Sequence, residues 1–357
     1  MKKTLRSIKN FFLHKNKYLF EKELFKKAEI GYVPDKLNIH ITFRCNLRCP
    51  TCLFLLKDPH IFDKERDMTM EQFLWVLDKF NGKINGFHFG GGESLMHPQI
   101  YEMAKEVKKR GIWLGISTNG ILIKKRIGAL KLFDRINISL DGTDYEDFKK
   151  IRNGTPAQYR DILEGINLLK AQGINFHTSF LLFEETLARV PKIMEFVRSI
   201  GSNMLVFRAG NPRGHNKWTA LMAESPKVQA FLKDILSRND YPFSIRMPEI
   251  CEDNELFPTY KCPKTWQTVY VHWNGDIGQC CYNKPDPALG NIFKGYNLNS
   301  PTMVKLRQAT IDNKYPIDCK YCCKRFKEAY WGYFSKKTKQ WNFSPNYKKM
   351  LKEYEIV

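Results

Sequence analysis

The 357-residue sequence has no long apolar run, since it lacks the roughly 20 consecutive apolar residues that a membrane-spanning helix needs. The opening run from Met1 to Arg6 is followed by charged residues where a secretory signal would have its apolar core. We therefore expect a cytoplasmic protein. In that reducing compartment disulfides are rare, so the ten cysteines indicate metal chemistry.

Acidic residues are scarce, because 37 Asp and Glu stand against 58 Lys and Arg and leave a formal net charge of +21. A basic surface favours an anionic partner, such as a nucleotide, a phosphorylated sugar, an acidic peptide, a nucleic acid or a membrane surface. The first thirty residues interleave lysines with apolar residues in an amphipathic helical pattern. Such a helix either makes peripheral contact with an anionic membrane or packs across the mouth of the fold, and packing is the commoner use of an apolar face.

Three cysteines lie close together at Cys45, Cys49 and Cys52, directly after residues 37–43, whose apolar and polar alternation predicts a strand. Three thiolates can hold three irons of a [4Fe–4S] cluster and leave the fourth iron open to a small molecule. A structural zinc site usually takes four protein ligands and often takes its cysteines in pairs. The triplet therefore favours an iron–sulfur cluster with an open iron.

Three further predicted strands each end in small polar groups. The first runs into the turn Gly90 to Glu93, where glycine lets a ligand approach the backbone and Glu93 offers a carboxylate to an amine. The other two end at Thr118 to Gly120 and at Asp141 to Gly142. Taken alone, such turns are also explained as ordinary connections with helix N-caps. Because ligands gather at the carboxyl ends of parallel strands, we expect these groups to converge on one pocket.

In these ordered motifs the chain resembles the radical S-adenosylmethionine (radical SAM) superfamily. The resemblance implies that Cys45, Cys49 and Cys52 bind a [4Fe–4S] cluster and that Glu93 holds the methionyl amine of S-adenosylmethionine (SAM). Arg152 lies where many members place the arginine for the methionyl carboxylate, although a solvated helix-terminal arginine is an equal alternative. The SAM-binding residues that the resemblance implies are Gly91, Gly92, Glu93, Ser117, Asn119, Ser139, Asp141 and Arg152.

The chain departs from the family pattern at two positions. Ser94 stands where the family usually has proline, and Thr51 stands where it usually has a bulky residue before the third cysteine. The second departure leaves the adenine-stacking side chain unassigned, with Phe54 as a candidate.

The remaining seven cysteines lie late in the chain. The run between Cys262 and Cys280 predicts a β-hairpin turning at Asn274-Gly275, which would make these two cysteines neighbours. The C-x-x-C pair Cys319 and Cys322 then completes four thiolates, a set that suits a fully ligated iron–sulfur cluster or zinc. The others are Cys251, Cys281 and Cys323.

This cysteine pattern resembles the SPASM and twitch extensions of radical SAM enzymes. The chain lacks the last cysteines of a full SPASM domain after Cys323, so we expect one auxiliary [4Fe–4S] cluster. Its implied ligands are Cys262, Cys280, Cys319 and Cys322, with Cys281 and Cys323 as next-door alternatives. Cys251 could bind the cluster, line the substrate pocket or be a small buried apolar residue, and the last is the commonest use of such a cysteine.

Repeated strand–helix units predict an α/β fold with a parallel sheet, and the resemblance implies a partial (β/α)₆ TIM-like barrel with a small cysteine-rich α+β domain of a hairpin and a helix. The expected divisions are a basic amphipathic helical extension at 1–36, the barrel at 37–208, a linker with a helix at 209–248, the SPASM/twitch-like domain at 249–334 and a tail at 335–357.

The resemblance implies reductive cleavage of SAM to methionine and a 5′-deoxyadenosyl radical that abstracts a substrate hydrogen, with electrons from a donor such as flavodoxin or ferredoxin. The first hypothesis is a two-electron dehydrogenation of a small polar or anionic substrate, with the auxiliary cluster accepting an electron. The second is a maturase that crosslinks, epimerises or oxidises a peptide.

A non-catalytic zinc or iron–sulfur nucleic-acid-binding protein is the alternative from another class, but it leaves Glu93 and the ordered strand-end motifs without a role. Nucleic acid is therefore not the expected partner. No acid or base residue is assigned; the candidates are Arg208, Arg213, His215, Tyr270 and His272.

Overall fold

A computed structural model describes residues 19–63, 67–210, 218–251, 261–280, 286–295, 297–314 and 332–356. The chain divides into two compact units, of which the first comprises 1–137 with 263–314 and the second comprises 138–262 with 315–357. Both units combine strands with helices, which confirms the α/β class predicted from the sequence.

The strands of the described residues are β1 (Lys36–Thr42), β2 (Gly86–Gly91), β3 (Trp113–Thr118), β4 (Arg135–Ser139), β5 (His177–Leu182), β6 (Met204–Ala209), β7 (Ser244–Arg246), β8 (Thr268–His272), β9 (Ile277–Gly278), β10 (Gly332–Ser335) and β11 (Gln340–Phe343). The α-helices are α1 (Leu53–Lys57), α2 (Met70–Lys79), α3 (Ile100–Lys109), α4 (Ile123–Leu130), α5 (Tyr145–Arg152), α6 (Pro156–Ala171), α7 (Val190–Ile200), α8 (Pro226–Leu236), α9 (Lys264–Gln267), α10 (Pro301–Ile311) and α11 (Pro345–Glu353). None of the helices in the described ranges is long and apolar enough to cross a membrane.

In the first unit the strand order is β9-β8-β1-β2-β3. Strand β1 pairs in parallel with both β2 and β8, and β2 pairs in parallel with β3. Strand β9 returns antiparallel to β8. The hairpin predicted at Asn274-Gly275 is therefore present, and Gly275 takes the left-handed conformation with φ +85° that a tight turn favours.

Alternation along these strands separates two faces. Leu37, Ile39 and Ile41 of β1 are fully or almost fully buried, and on the same face of β2 Phe73 from α2 makes edge contacts with Phe87 and Phe89 at 5.6 and 5.9 Å between ring centroids. Helix α2 begins where Thr69 and Gln72 exchange the hydrogen bonds of a capping box. The opposite face carries Asn38, His40, His88, Ser117, Tyr270 and His272.

The described part of the N-terminal extension packs on the first unit. Residues 19–23 are helical, and Leu19, Phe20, Leu24 and Phe25 lie against a buried cluster that contains Trp266. Buried Arg307 of α10 donates hydrogen bonds to the carbonyl oxygens of Thr265, Leu298 and Ala28. Packing is thus the observed use of the apolar side chains from residue 19 onward, and residues 1–18 lie outside the described ranges.

In the second unit the strand order is β5-β6-β7-β10-β11. The pairs β5–β6 and β6–β7 are parallel, whereas β10 is antiparallel to both β7 and β11. The last segment of the chain, for which the sequence predicted no motif, forms the hairpin β10–β11 and helix α11. Ser344 caps that helix by accepting a hydrogen bond from the Tyr347 N–H, and Tyr347, Met350 and Leu351 are buried.

Candidate cofactor site

The cysteine triplet lies in the loop between β1 and α1. Cys49 is buried and accepts at its carbonyl a hydrogen bond of 3.0 Å from the Cys52 N–H. Cys45 and Cys52 are half-buried and pack against an apolar cluster of Phe43, Phe54, Ile61 and Phe62. Strand β1 therefore delivers the three thiols to one loop at its carboxyl end, as the sequence predicts.

Electrostatics make this loop a poor place for uncompensated thiolates. Burial raises the pKa of the Cys45 thiol to about 12, and the charges of Glu93, Cys49 and Cys52 raise the pKa further. Coordination by iron removes this penalty, because a metal cation stabilises the thiolate it binds. The donor set fits an iron–sulfur cluster. In the ranges that the structure describes, no three His, Cys, Asp or Glu side chains are arranged around a single metal-ion position.

The glycine-rich turn after β2 lies directly against the start of the cysteine loop. A Cβ atom on Gly92 would come 2.3 Å from the Arg44 carbonyl oxygen, and the Glu93 N–H donates to that same oxygen at 2.8 Å. Gly91 has φ +102°, which other residues rarely adopt. The sequence suggested that glycine makes room for a ligand here, but at Gly92 the structure shows the room filled by the neighbouring backbone.

Glu93 is 1% exposed, and its carboxylate is held by donors from β3 and from its own turn. One oxygen, Oε1, accepts from the Thr118 hydroxyl at 2.8 Å and from the Leu95 N–H at 3.1 Å. The other, Oε2, accepts from the Asn119 N–H at 2.7 Å. These contacts fix the carboxylate at the carboxyl end of β2. Sequence reasoning found Glu93 and placed Thr118 in the polar group at the end of its strand, but it gave Thr118 no role of its own.

Asn119 connects the end of β3 to the cysteine loop. Its side-chain Nδ2 donates to Oδ1 of Asn46 at 2.7 Å, and its Oδ1 accepts from the Ile121 N–H at 3.1 Å. Asn46 directly follows Cys45 and was not singled out in the sequence. The Ser117 hydroxyl lies 3.1 Å from Nε2 of His88. The first unit thus brings the cysteine loop, Glu93 and Asn119 together.

The predicted SAM residues Asp141 and Arg152 pair with each other in the second unit. Asp141 Oδ2 lies 2.5 Å from Arg152 Nη2, with 6% and 17% of the two side chains exposed. The other carboxylate oxygen, Oδ1, accepts from the Leu181 N–H at 2.6 Å. Arg152 is therefore not a solvated helix-terminal arginine. Ser139, the last predicted residue of this group, ends β4 and is half-buried.

Phe54 lies inside the apolar cluster beside the cysteine loop. It is 7% exposed and makes an edge contact with Phe43 at 5.2 Å between ring centroids. Its ring therefore serves the packing of this cluster.

The late cysteines are only partly covered by the described residues. Cys280 is half-buried in the first unit, two residues after β9, and Cys262 is half-buried in the second unit, just before α9. Cys251 is buried, with its backbone paired to Leu221 and Ala223, as a small apolar residue would be. Cys281, Cys319, Cys322 and Cys323 lie outside the described residues, so the auxiliary ligand set stays a prediction.

Two of the candidate acid or base residues, Tyr270 and His272, lie on the polar face of the first sheet. Nδ1 of His272 lies 3.1 Å from Nδ1 of His40, so one imidazole donates to the other. Burial lowers the pKa of His40 to about 3 and lowers the pKa of His272 well below its usual range, so the pair is neutral at pH 7. Tyr270 is buried and Arg208 is half-buried, whereas Arg213 and His215 lie outside the described residues.

Two family models match the chain. The model of the Radical SAM superfamily matches residues 39–197, and the model of the SPASM iron–sulfur cluster-binding domain matches residues 262–323. The first match spans the cysteine loop, Glu93 and Arg152. The second match spans the predicted auxiliary ligands from Cys262 to Cys322.

Among curated proteins, the chain is similar to the antilisterial bacteriocin subtilosin biosynthesis protein AlbA of Bacillus subtilis, with 24% identity over 293 residues, 78% of this chain and 62% of AlbA. The chain spans less than two thirds of the length of the curated relatives that it matches. It covers 62% of AlbA and 24% and 59% of two others.

Two solved structures have similar folds. One is anSMEcpe with bound AdoMet and the Cp18Cys peptide, at a TM-score of 0.60 and 18% identity, covering 91% of this chain and 97% of that chain. The other is Streptococcus suis SuiB bound to its precursor peptide SuiA, at a TM-score of 0.58 and 14% identity, covering 87% of this chain and 74% of SuiB. These likenesses confirm the α/β fold that the sequence predicted, and the match to the Radical SAM superfamily model identifies it as the radical SAM fold.

Proposed function

Because the chain belongs to the radical SAM superfamily and carries a SPASM iron–sulfur cluster-binding domain, we propose that it is an enzyme that modifies a peptide by radical chemistry. The radical SAM domain binds a [4Fe–4S] cluster and SAM, and the SPASM domain binds an auxiliary iron–sulfur cluster. The relative AlbA takes part in the biosynthesis of a bacteriocin, and SuiB and anSMEcpe were each solved with a peptide. These names support a peptide as the substrate.

The polar face of the first sheet, whose one lysine is Lys36 at the start of β1, is the observation that carries this choice. Tyr270, Asn38 and His88 lie side by side on β8, β1 and β2, because Asn38 is in register with both of the others. The buried His40–His272 pair continues the row one step further along the strands. Imidazole, amide and phenol groups suit the neutral amides of a peptide, whereas a nucleotide or sugar phosphate would call for arginine or lysine.

The residues of the chain have separable tasks in this proposal. When bound, the cluster and SAM supply a 5′-deoxyadenosyl radical by reductive cleavage. Cys45, Cys49 and Cys52 hold the cluster, while Glu93, fixed by Thr118 and Asn119, holds the methionyl amine. The proposed SAM contacts further include Gly91, Gly92, Ser117, Ser139 and Arg152.

The auxiliary cluster is proposed to be held by Cys262, Cys280, Cys319 and Cys322 and to accept the electron left after hydrogen abstraction. The net change would then be a two-electron oxidation of the peptide, such as a crosslink. An acidic electron donor such as flavodoxin or ferredoxin fits the net charge of +21, because opposite charges steer encounter.

Dehydrogenation of a small anionic substrate is the second candidate, and the same net charge favours it. Unlike the peptide proposal, this candidate requires positively charged side chains at the reacting site itself. A small anion needs cationic groups at the reacting site, and on the polar face the strands β1, β2, β3 and β8 supply none beyond Lys36 at the start of β1.

The test uses enzyme reconstituted with iron and sulfide under anaerobic conditions, reduced with dithionite and supplied with SAM. The probe is a synthetic copy of any short peptide encoded beside the gene, deuterated in turn at individual residues. The proposal predicts transfer of deuterium into 5′-deoxyadenosine together with a peptide that has lost two hydrogen atoms. Deoxyadenosine without deuterium from any peptide position, combined with faster turnover on added sugar or nucleotide phosphates, would favour the small-substrate alternative.

A further inference from the structure

Gly90 leaves a gap in the polar face of the first sheet. It follows Gly86 and His88 on that face of β2, and it is half-buried. Its φ lies outside the left-handed region, so the backbone would accept a side chain at this position. A Cβ atom there would stand 3.2 Å from Oδ1 of Asn38 and 3.6 Å from Nε2 of His40. The missing side chain therefore leaves a space, here called the Gly90 gap, beside the polar ends of two side chains of β1.

One wall of the Gly90 gap is a hydrogen-bond acceptor. Oδ1 of Asn38 is buried, and no donor within the described residues reaches it. Buried polar atoms in proteins nearly always have a partner, because an unpaired one has lost the hydrogen bonds that water would make. Asn38 lies in register with Tyr270 on one side and His88 on the other, so the sheet fixes its position. Its oxygen is therefore available to an N–H of a bound molecule.

The other wall is a hydrogen-bond donor, which follows from the buried histidine pair. Both imidazoles are neutral and their Nδ1 atoms lie 3.1 Å apart, so one proton lies between the rings and the other is on a single Nε2. Nε2 of His272 is buried without a partner in the part of the chain that the structure describes, 2.7 Å from the Cβ position of Gly278. A buried N–H without an acceptor is rarer than a buried acceptor without a donor. The proton is therefore placed on Nε2 of His40, which presents an N–H to the gap.

These two walls suit one edge of a primary amide. The side chains of asparagine and glutamine carry an NH₂ group and a carbonyl oxygen along one edge, and neither group is charged. A main-chain amide fits less well, because its N–H and its C=O point in opposite directions. An ionised carboxylate has no donor for Oδ1 of Asn38 and would place a charge in an uncharged gap. The space of one missing side chain also admits a side chain more readily than a main chain.

We infer, on the basis of the proposed function, that the Gly90 gap selects a peptide substrate by an asparagine or glutamine side chain. The NH₂ group of that side chain donates to Oδ1 of Asn38, and its carbonyl oxygen accepts from Nε2 of His40. Gly90 is then a specificity-determining residue, because a larger residue would close the gap. All of these protein groups lie in the first unit.

Two variants separate recognition from stability. Gly90→Ala places a methyl group in the gap, beside side chains that can move, whereas the matched control Gly128→Ala adds a methyl group with nothing within 4 Å. Asn38→Leu removes the acceptor and keeps a similar volume. Because the Asn38 oxygen has no partner among the described residues, we expect Asn38→Leu to keep or raise the thermal midpoint of the free enzyme. A structural hydrogen bond at Asn38 would instead make this change lower the midpoint.

The measurement is the affinity of the anaerobically reconstituted full chain, with SAM present, for a fluorescein-labelled copy of the synthetic peptide that tests the proposed function. We expect Asn38→Leu and Gly90→Ala each to weaken binding by roughly tenfold, as the loss of one hydrogen bond would, and Gly128→Ala to leave it unchanged. Replacing one particular asparagine of the peptide by aspartate, or glutamine by glutamate, should weaken binding to the wild type. The same replacement should cost less in Asn38→Leu, because the two changes remove one contact.

The outcomes separate this inference from the proposed function. Wild-type affinity in both Asn38→Leu and Gly90→Ala would overturn the role of the gap while the proposed function stands. So would a peptide that binds equally well after all its asparagines and glutamines have been replaced, or one that binds without having any. A wild-type enzyme that binds no peptide would remove the proposed function itself and the inference with it.

Discussion

The Asn119 side chain at the end of β3 donates a hydrogen bond of 2.7 Å to Oδ1 of Asn46, the residue that follows Cys45. The backbone N–H of the same Asn119 donates to Glu93 at 2.7 Å. One residue therefore ties the cysteine loop to the carboxylate proposed to hold the methionyl amine.

Removing this tie should loosen the cysteine loop without removing a ligand. We expect Asn46→Ala to lower the free energy of unfolding by about 1 kcal/mol, the net value of one hydrogen bond, and to speed the loss of iron to a chelator. The control is Asn81→Ala at an exposed position after α2. Iron release as slow in Asn46→Ala as in the control would show that the tie does not hold the loop.

The close approach at Gly92 predicts a large effect of one methyl group. A Cβ atom there meets the Arg44 carbonyl oxygen at 2.3 Å, and the obstacle is backbone that cannot swing aside. We expect Gly92→Ala to lower the free energy of unfolding by at least about 2 kcal/mol.

The matched control is Gly128→Ala, where nothing lies within 4 Å of the added atom in helix α4. Alanine is the better helix former, so this change should be neutral or stabilise by up to about 1 kcal/mol. Thermal midpoints of the two variants, measured side by side, check the pair. Equal midpoints would contradict the close approach.

The buried histidine pair predicts a loss of stability on acidification. Both imidazoles have pKa values lowered by burial, to about 3 in His40, whereas unfolded histidines protonate near pH 6.5. Below that pH the unfolded state binds more protons, so stability is full above about pH 6.5 and falls as the pH drops toward the folded pKa. At pH 5 the loss from His40 alone is about 2 kcal/mol, and His272 adds a loss of the same sign.

Replacing both residues, in His40→Leu with His272→Leu, should therefore reduce the difference in unfolding free energy between pH 7 and pH 5 by at least about 2 kcal/mol, the contribution of His40 alone. Urea midpoints at the two pH values measure it. His60→Leu serves as control, because this side chain is 85% exposed. A pH dependence in the double variant as steep as in the wild type would refute the account of the pair.

The auxiliary site makes a prediction that separates the two clusters. Cys280 lies just after β9 and is proposed as a ligand, whereas its neighbour Cys281 is the alternative. We expect Cys280→Ala to lose about four irons, one cubane cluster, while SAM cleavage continues at the first cluster. Cys281→Ala should keep all the iron, and the reverse pattern would exchange the two assignments.

Much of the fold was readable from the sequence because its signals are local. The helices α2, α3, α6, α7 and α8 follow from apolar periodicity, and Thr69 with Gln72 shows in the sequence where one of them begins. The Asn274-Gly275 turn likewise predicted the β8–β9 hairpin. Contacts distant in sequence were not readable. Nothing near Thr268 indicates that β8 pairs in parallel with β1, and the short strands β10 and β11 carry no clear alternation.

The residues of the candidate site also divide into those that the sequence reveals and those that depend on contacts distant in sequence. The three cysteines and Glu93 stand in motifs, so the sequence found them directly. Thr118 and Asn46 act through side-chain contacts that form only when β2, β3 and the cysteine loop meet. Asp141 pairs with Arg152 from a turn in which Asp141 takes the left-handed conformation, and the sequence around Asp141 does not indicate that conformation. Both residues were therefore expected to face the ligand.

The most direct test of the account is iron and sulfide counting with 5′-deoxyadenosine analysis on the reduced, SAM-treated protein. It compares the wild type with the triple variant Cys45→Ala, Cys49→Ala, Cys52→Ala and with Cys251→Ala, a buried cysteine outside both sites. We predict about eight irons and deoxyadenosine for the wild type and for Cys251→Ala, and about four irons without deoxyadenosine for the triple variant. Tightly bound zinc with no SAM cleavage in the wild type would contradict the account.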